Sequence, residues 1–237
     1  MVLKELISRS PIRIFEQSIH GGLKPGEIGI VASPNGVGKT SVLVQIALDK
    51  LLQEKKVIHV SFTHYTQSAW MPHVLIWYED IFNELISKKN LENAAEIKND
   101  LVKNRVLMNF NQDGISKDQI LKSLRALIID GGFNADSIII DGFDFSRASA
   151  ENIAGVKAFA SELGVSIWYS CSVNDTQYNS ENIPAVISGF SQLVDVVIVL
   201  KPRPNHVDLS VSKDRDSRDS KSMTTRLDPK TLLILGN

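Results

Sequence analysis

The stretch Ser33-Pro34-Asn35-Gly36-Val37-Gly38-Lys39-Thr40, SPNGVGKT, sits between a short apolar run and a long amphipathic one. The run before it, EIGIVA (Glu27 to Ala32), follows the turn signal Lys24-Pro25-Gly26 and reads as a strand. From about Lys39 to Leu52 the pattern is helical. Strand, glycine loop and helix start, in that order, make a cradle for phosphate: backbone N–H groups converge, and the positive helix end favours an anion. The spacing G-x-x-x-x-G-K-[ST] is met except at its first position, where Ser33 stands for glycine. It assigns Ser33, Pro34, Asn35, Gly36, Val37, Gly38, Lys39, Thr40 and Ser41 to a nucleotide-binding set. Lys39 is expected to reach the β- and γ-phosphates, and the Thr40 hydroxyl to sit on Mg²⁺. If position 33 needs a positive φ, a side chain there costs about 1 kcal/mol relative to glycine. That is small against nucleotide binding, and Gly36 adds freedom inside the loop.

A second element is SIIIDGF, in which Asp141 directly follows a buried apolar strand. An aspartate there lies at the strand's carboxyl end, where open α/β sheets bind ligands. It is expected to orient Mg²⁺ through a coordinated water. Many parallel strands end in Asp as a helix cap, so the metal reading of Asp141 draws its weight from the loop upstream.

The rest of the chain repeats this alternation of strands and helices. VIHVSF (Val57 to Phe62), RVLMNF, VSIWYS (Val165 to Ser170) and VVIVL (Val196 to Leu200) read as strands. Helices are expected near 72–88, 91–103 and 117–129. Near-continuous apolar strands separated by helices predict an α/β fold with a mostly parallel sheet covered on both faces. The tail differs: HVDLSVS, SMTTRLD and TLLIL predict antiparallel hairpins extending one edge of that sheet. Short connections predict one domain over 1–237, with 1–20 as a lead-in segment.

Two families of phosphate-loop ATPase fit SPNGVGKT. PNGVGKT resembles the loop of ABC transporter nucleotide-binding domains, but the Ser-Gly of ISGFSQ comes after the Asp141 strand, whereas those domains carry theirs before it. Asp141 is also followed by Gly142 and not by their glutamate. The closer resemblance is to RecA-like ATPases of the branch holding KaiC, RadA and DnaB. It is carried by GGLKPGEIGIVASPNGVGKTSVLVQIA, VIHVSF, SIIIDGF and LVDVVIVL…VDLSVSKDRD, roughly from Gly21 to the C-terminus. The resemblance implies a RecA-like core binding ATP and Mg²⁺ between subunits of a ring or filament, so a homo-oligomer or a RecA-like hetero-partner. It also implies that Lys213 and Arg215, in the Lys-x-Arg position, reach a neighbour's γ-phosphate in trans; the plainer reading of SKDRDSRDSK is a solvated turn.

The chain departs from that family after its second strand, where family members carry an acidic pair whose glutamate activates water. Here the order is Ser61-Phe62-Thr63-His64. Thr63 is no base near neutral pH; His64 is the one candidate base, and a lone histidine at a strand end is commonly structural. The polar residue with which helicases end the strand after the metal aspartate is also missing, with Ser170 and Ser172 in its place. The expectation is therefore ATP binding with weak or absent hydrolysis, as a nucleotide-dependent regulatory or assembly module. A competent ATPase using His64 or a residue in trans is the alternative.

Charge narrows the partners. The formal net charge is −1 over 237 residues, and Lys201 to Lys230 holds eight basic against five acidic residues without a continuous basic run. Phosphate tracking along a nucleic acid needs clustered cations, so the sequence argues against a nucleic-acid motor. The most apolar run, LVDVVIVL, is short and carries Asp195, so no membrane span is expected. One cysteine, Cys171, and no signal-like start predict a cytoplasmic protein. Finally, Trp70, Val74, Trp77, Ile81 and Leu85, flanked by Leu75, Tyr78, Phe82 and Ile86, make a wide apolar stripe on the 72–88 helix. It reads either as core packing or as a partner surface.

Overall fold

In the computed structural model, residues 11–63, 73–87, 94–111, 113–173, 178–180, 182–217 and 221–235 are described. Strand β1 (Ile28–Ser33) is buried along its whole length, as a central strand covered on both faces must be. Parallel to it on one side runs β5 (Ser166–Ser172), with Ile30 opposite Tyr169; on the other runs β6 (Val196–Pro202), with Ile30 opposite Val197. Beyond β5 lie β4 (Ser137–Asp141), β2 (Val57–Thr63) and β3 (Arg105–Asn111), all parallel. Beyond β6, antiparallel β7 (Val207–Asp214), β8 (Lys221–Leu227) and β9 (Ile234–Leu235) extend the edge, as the tail's alternating pattern predicts. The order is β3-β2-β4-β5-β1-β6-β7-β8-β9.

Because side chains alternate across a strand, β1 feeds two cores. Val31 faces a core built with α1 (Pro11–Ser18), α2 (Lys39–Leu52), α3 (His73–Ser87) and α4 (Ala94–Lys103). Ile28, Ile30 and Ala32 face the other, under α5 (Lys117–Arg125) and α6 (Ala150–Leu163). Ser116 opens α5 in a reciprocal capping box with Gln119, satisfying otherwise unpaired backbone donors. Ser149 caps α6, and Gly164 closes it at φ 66°, a left-handed conformation that favours glycine.

Helix α2 is buried almost all round, since α1, α3 and the C-terminal tail wrap it. Its one buried glutamine, Gln45, fastens that tail: Nε2 donates to the Leu232 carbonyl at 2.9 Å, and Oε1 accepts from Ile234 N–H at 2.7 Å.

Two sequence expectations gain detail here. The lead-in becomes an integral helix from Pro11, with Ile12, Phe15 and Ile19 in the core and Phe15 against Trp168. The stripe on α3 divides in favour of core packing. Val74, Tyr78, Ile81 and Phe82 are buried, and Trp77, Leu85 and Ile86 pack against the same core, leaving Ile76 exposed. Trp70 lies outside the described residues. Among the described residues no helix is long and apolar enough to cross a membrane.

Candidate functional site

The glycine loop leaves the carboxyl end of β1 beside the carboxyl ends of β5 and β4. Connections from β1 and β5 depart in opposite directions there, since β1 leads left to β2 and β5 leads right to β6. A crevice at such a switch point is where open α/β sheets place ligands.

Ser33 is the last residue of β1 rather than the first of the loop, so the strand runs one residue beyond the Ala32 expected from its apolar pattern. It keeps extended backbone, its Oγ donates to the Pro34 carbonyl at 2.9 Å, and the expected strain does not arise. The positive φ falls instead on Gly36 (80°) and Gly38 (113°), where glycine bears it readily. Gly38 is doubly constrained, because a Cβ there would lie 2.5 Å from Leu227 Cδ2 on β8. The tail therefore packs directly on the loop, and Ser41 Oγ adds a hydrogen bond to the Leu232 carbonyl.

Lys39 folds back over this loop. Its buried ammonium donates to the carbonyls of Ser33 (3.0 Å) and Pro34 (2.9 Å). Burial lowers its pKa, and the negative charge of Asp141 opposes that shift. Asn35 is tied to β5, its Oδ1 accepting from Ser172 Oγ at 2.7 Å.

Thr40 and Asp141 meet. The Thr40 hydroxyl donates to Asp141 Oδ2 at 2.8 Å, joining the start of α2 to the end of β4. Gly142 follows at φ 83°, and a Cβ there would lie 3.0 Å from the Phe62 carbonyl. That closeness explains why a glycine, and not an acidic residue, succeeds Asp141. The Gly142 N–H donates to Ser170 Oγ at 2.9 Å. Ser170 and Ser172, which the sequence offered only as weak substitutes for a sensor, thus brace Gly142 and Asn35. Their signal was the alternation along β5, readable only once its neighbours are known.

Beside the loop opens a cleft of about 660 Å³, bordered by Asn35, Phe62, Gly142, Phe143, Asp144 and Ser172. A further residue that sequence reasoning missed is His59 of β2, which feels the charge of Asp141. It is fully buried, and its Nδ1 lies 3.1 Å from the Tyr78 hydroxyl. Burial pushes its pKa down to about 4 against the pull of Asp141, with Arg105 adding to the fall, so the ring is neutral at pH 7. His64, the candidate base, lies outside the described residues.

Lys213 and Arg215 are not brought to this cluster. Strand β7 runs antiparallel to β6, so Asp214 pairs with Val196 at the amino end of the parallel strands. Val196 in turn pairs with Gly29, four residues short of Ser33, or about 13 Å along the strand. Both cations have work within their own chain. Lys213 Nζ donates to the carbonyls of Ser191 (2.5 Å) and Val194 (2.6 Å). Arg215 grips Glu27 through Nε (2.8 Å) and Nη2 (2.7 Å), and reaches Asp214, the Ile19 carbonyl and the Gly22 carbonyl. The solvated-turn reading does not hold for Arg215, whose side chain is only 21% exposed.

Chemically, the arrangement offers a loop opening onto a helix start, one buried ammonium, and a hydroxyl paired with a carboxylate. Among the described residues no three His, Cys, Asp or Glu side chains gather as a protein-only metal cage. No protein-family model matches this chain, and no curated protein matches it in sequence.

Proposed function

We propose that this chain binds Mg–ATP in a RecA-like phosphate loop formed by Ser33 to Ser41, and acts as a nucleotide-dependent assembly or regulatory module. The observation that carries the reading is the Thr40–Asp141 hydrogen bond. Two residues that the motif assigns to one Mg²⁺ come from distant parts of the chain and meet at the mouth of a helix N-terminus. Their donors, a hydroxyl and a carboxylate, are the hard oxygens Mg²⁺ takes when water and phosphate supply its other ligands. Lys39 would exchange its two carbonyl partners for phosphate oxygens, and the tips of the loop would supply N–H donors.

Hydrolysis is weak or absent in this reading, because Thr63 and His64 follow β2 where the resembled family carries its glutamate. Lys213 and Arg215, on the far end of the sheet from their own loop, meet a nucleotide only on another copy or on a RecA-like partner. To do so, Arg215 must loosen its hold on Glu27. The small net charge argues against a nucleic-acid partner.

The test measures Mg–ATP binding, steady-state hydrolysis and mass in solution on one purified sample. A ligand that binds only the folded state at about 100 times its Kd stabilises it by about 2.7 kcal/mol, so the melting temperature rises. Lys39→Ala removes most of that rise. An unmoved wild-type melting curve at millimolar Mg–ATP overturns the proposal.

A further inference from the structure

On the sheet face opposite α2, a cavity of about 200 Å³ lies between α5, α6 and strands β4 and β5. Leu121 and Leu124 of α5, Ile153 and Val156 of α6, and Ile140 from the sheet make it apolar. An apolar cavity of about 150 Å³ accepts benzene, so this one holds an aromatic ring with a short substituent. Two rings of its wall, Phe62 and Phe143, also border the cleft beside the glycine loop, and their centroids are 5.8 Å apart.

The lining is not wholly apolar, and its polar groups indicate what the ring carries. Tyr169 is 4% exposed and lines the cavity, yet its hydroxyl has no hydrogen-bond partner among the described residues. Burial raises its pKa, so the hydroxyl stays protonated and able to donate or accept. Lining the cavity, the hydroxyl can hydrogen-bond a polar group bound there.

Lys117 and Arg147 also line the cavity, with Asn152 near them. Lys117 Nζ lies 3.2 Å from where a Cβ on Gly155 would be, so a glycine inside α6 makes room for the ammonium. The cations pair with Asp118 (3.3 Å) and Asp113 (3.0 Å); Arg147 is 49% exposed and both aspartates more than half. Such exposed pairs are worth little and exchange readily for a ligand carboxylate.

We infer that this cavity is a binding site for a small aromatic monocarboxylate, its ring among the apolar side chains, a ring hydroxyl at Tyr169 and its carboxylate at Lys117 and Arg147. The inference stands independently of nucleotide binding at the glycine loop.

The test titrates the full chain, without nucleotide, with 4-hydroxyphenylacetate and with phenylacetate, followed by calorimetry and protein-observed NMR. Saturable one-to-one binding is expected, with chemical-shift changes at α5, α6 and β5. Val156→Phe, or Leu121→Phe, fills the chamber and weakens binding at least tenfold. Tyr169→Phe weakens 4-hydroxyphenylacetate about tenfold and phenylacetate little, since only the former loses a hydrogen bond. Lys117→Met, at a partly exposed position, weakens both acids and leaves neutral 4-methylphenol unaffected. Absence of saturable binding to wild type at high millimolar concentration overturns the inference. So does unchanged binding in Lys117→Met or in a folded chamber-filling variant.

Discussion

The Thr40 hydroxyl and the Asp141 carboxylate lie 2.8 Å apart although they are 101 residues apart in sequence and β5 separates β4, which ends at Asp141, from β1, whose loop leads to Thr40. Because Asp141 accepts from Thr40, each fixes the other's rotamer before any ligand arrives. A metal at this point would take the Thr40 oxygen and meet Asp141 through a coordinated water, so the pair is preorganised for it. Mg²⁺ is therefore expected to tighten ATP binding in the wild type. Asp141→Asn and Thr40→Ala should each remove most of that Mg²⁺ benefit, about tenfold or about 1.4 kcal/mol, and change metal-free binding far less. The double variant should lose little more than either single one, because the two residues act as a unit. Calorimetry with and without Mg²⁺ decides; an Asp141→Asn variant that keeps the full wild-type Mg²⁺ dependence would remove Asp141 from the metal site.

The turnover prediction rests on β2. Ser61 pairs with Asp141, and Thr63 closes the strand two residues further on. A glutamate at 63 is then expected to stand where water would attack, and general-base help is worth about 10² to 10⁴ in rate. Thr63→Glu or His64→Glu should hydrolyse ATP faster than wild type in the assembled state, whereas His64→Ala should change little. Brisk wild-type turnover that His64→Ala abolishes would reverse the assignment and make the chain an ATPase with a substituted base.

What was legible in the sequence was whatever local pattern encodes. The strand–loop–helix around SPNGVGKT, the strand ending at Asp141 and the antiparallel tail all follow from periodicity and turn residues within about ten positions. Helix α1 was hidden because PIRIFEQS interleaves its buried residues with charge. Glu16 looks solvated until Lys50 is seen 2.7 Å away, 34 residues later. Arg215 is a similar case, since its main partner, Glu27, is 188 residues distant. Lone charges carry no sequence signal for such partners. Contacts that form only between elements, like Ser170 with Gly142, lie beyond periodicity altogether.

Arg215 is expected to matter for folding before it matters for any neighbour. Its guanidinium bridges the α1–β1 turn to β7 through Glu27, Asp214 and two carbonyls, and these partners raise its pKa, hydrogen bonding to Glu27 first. Because the pair keeps some solvent exposure, the loss from Arg215→Ala falls between surface and buried values, on the order of 2 kcal/mol. Arg215→Lys should recover only part, since an ammonium cannot reproduce the two-pronged grip on Glu27. Urea denaturation of both variants and of Glu27→Gln measures this. Unchanged stability in Arg215→Ala, with assembly lost, would instead assign the residue to a neighbouring subunit.

The last expectation concerns acid. Asp49, 3% exposed on α2, contacts Arg13 at 2.8 Å and Gln53 at 2.7 Å. Burial raises its pKa from 3.8 to about 6, with Glu16 adding to the rise and Arg13, Lys50 and Gln53 opposing it. The folded chain thus holds a proton that the unfolded chain releases between pH 3.8 and about 6, and stability from Asp49 falls as pH rises through that window. At about 1.4 kcal/mol per pH unit, the ceiling is near 3 kcal/mol. His59 acts with the opposite sign. Its folded pKa of about 4 lies below the ordinary 6.5, so the unfolded chain binds the extra proton and stability falls as pH drops through that window. The two slopes nearly cancel in the wild type between pH 4 and 6. Asp49→Asn should therefore expose the histidine slope, making the variant lose stability steeply on acidification below pH 6.5. His59→Gln should show the reverse, gaining stability relative to wild type as pH falls. Denaturation midpoints from pH 4 to 8 test both, and parallel curves for wild type and Asp49→Asn would show that Asp49 titrates normally inside the fold.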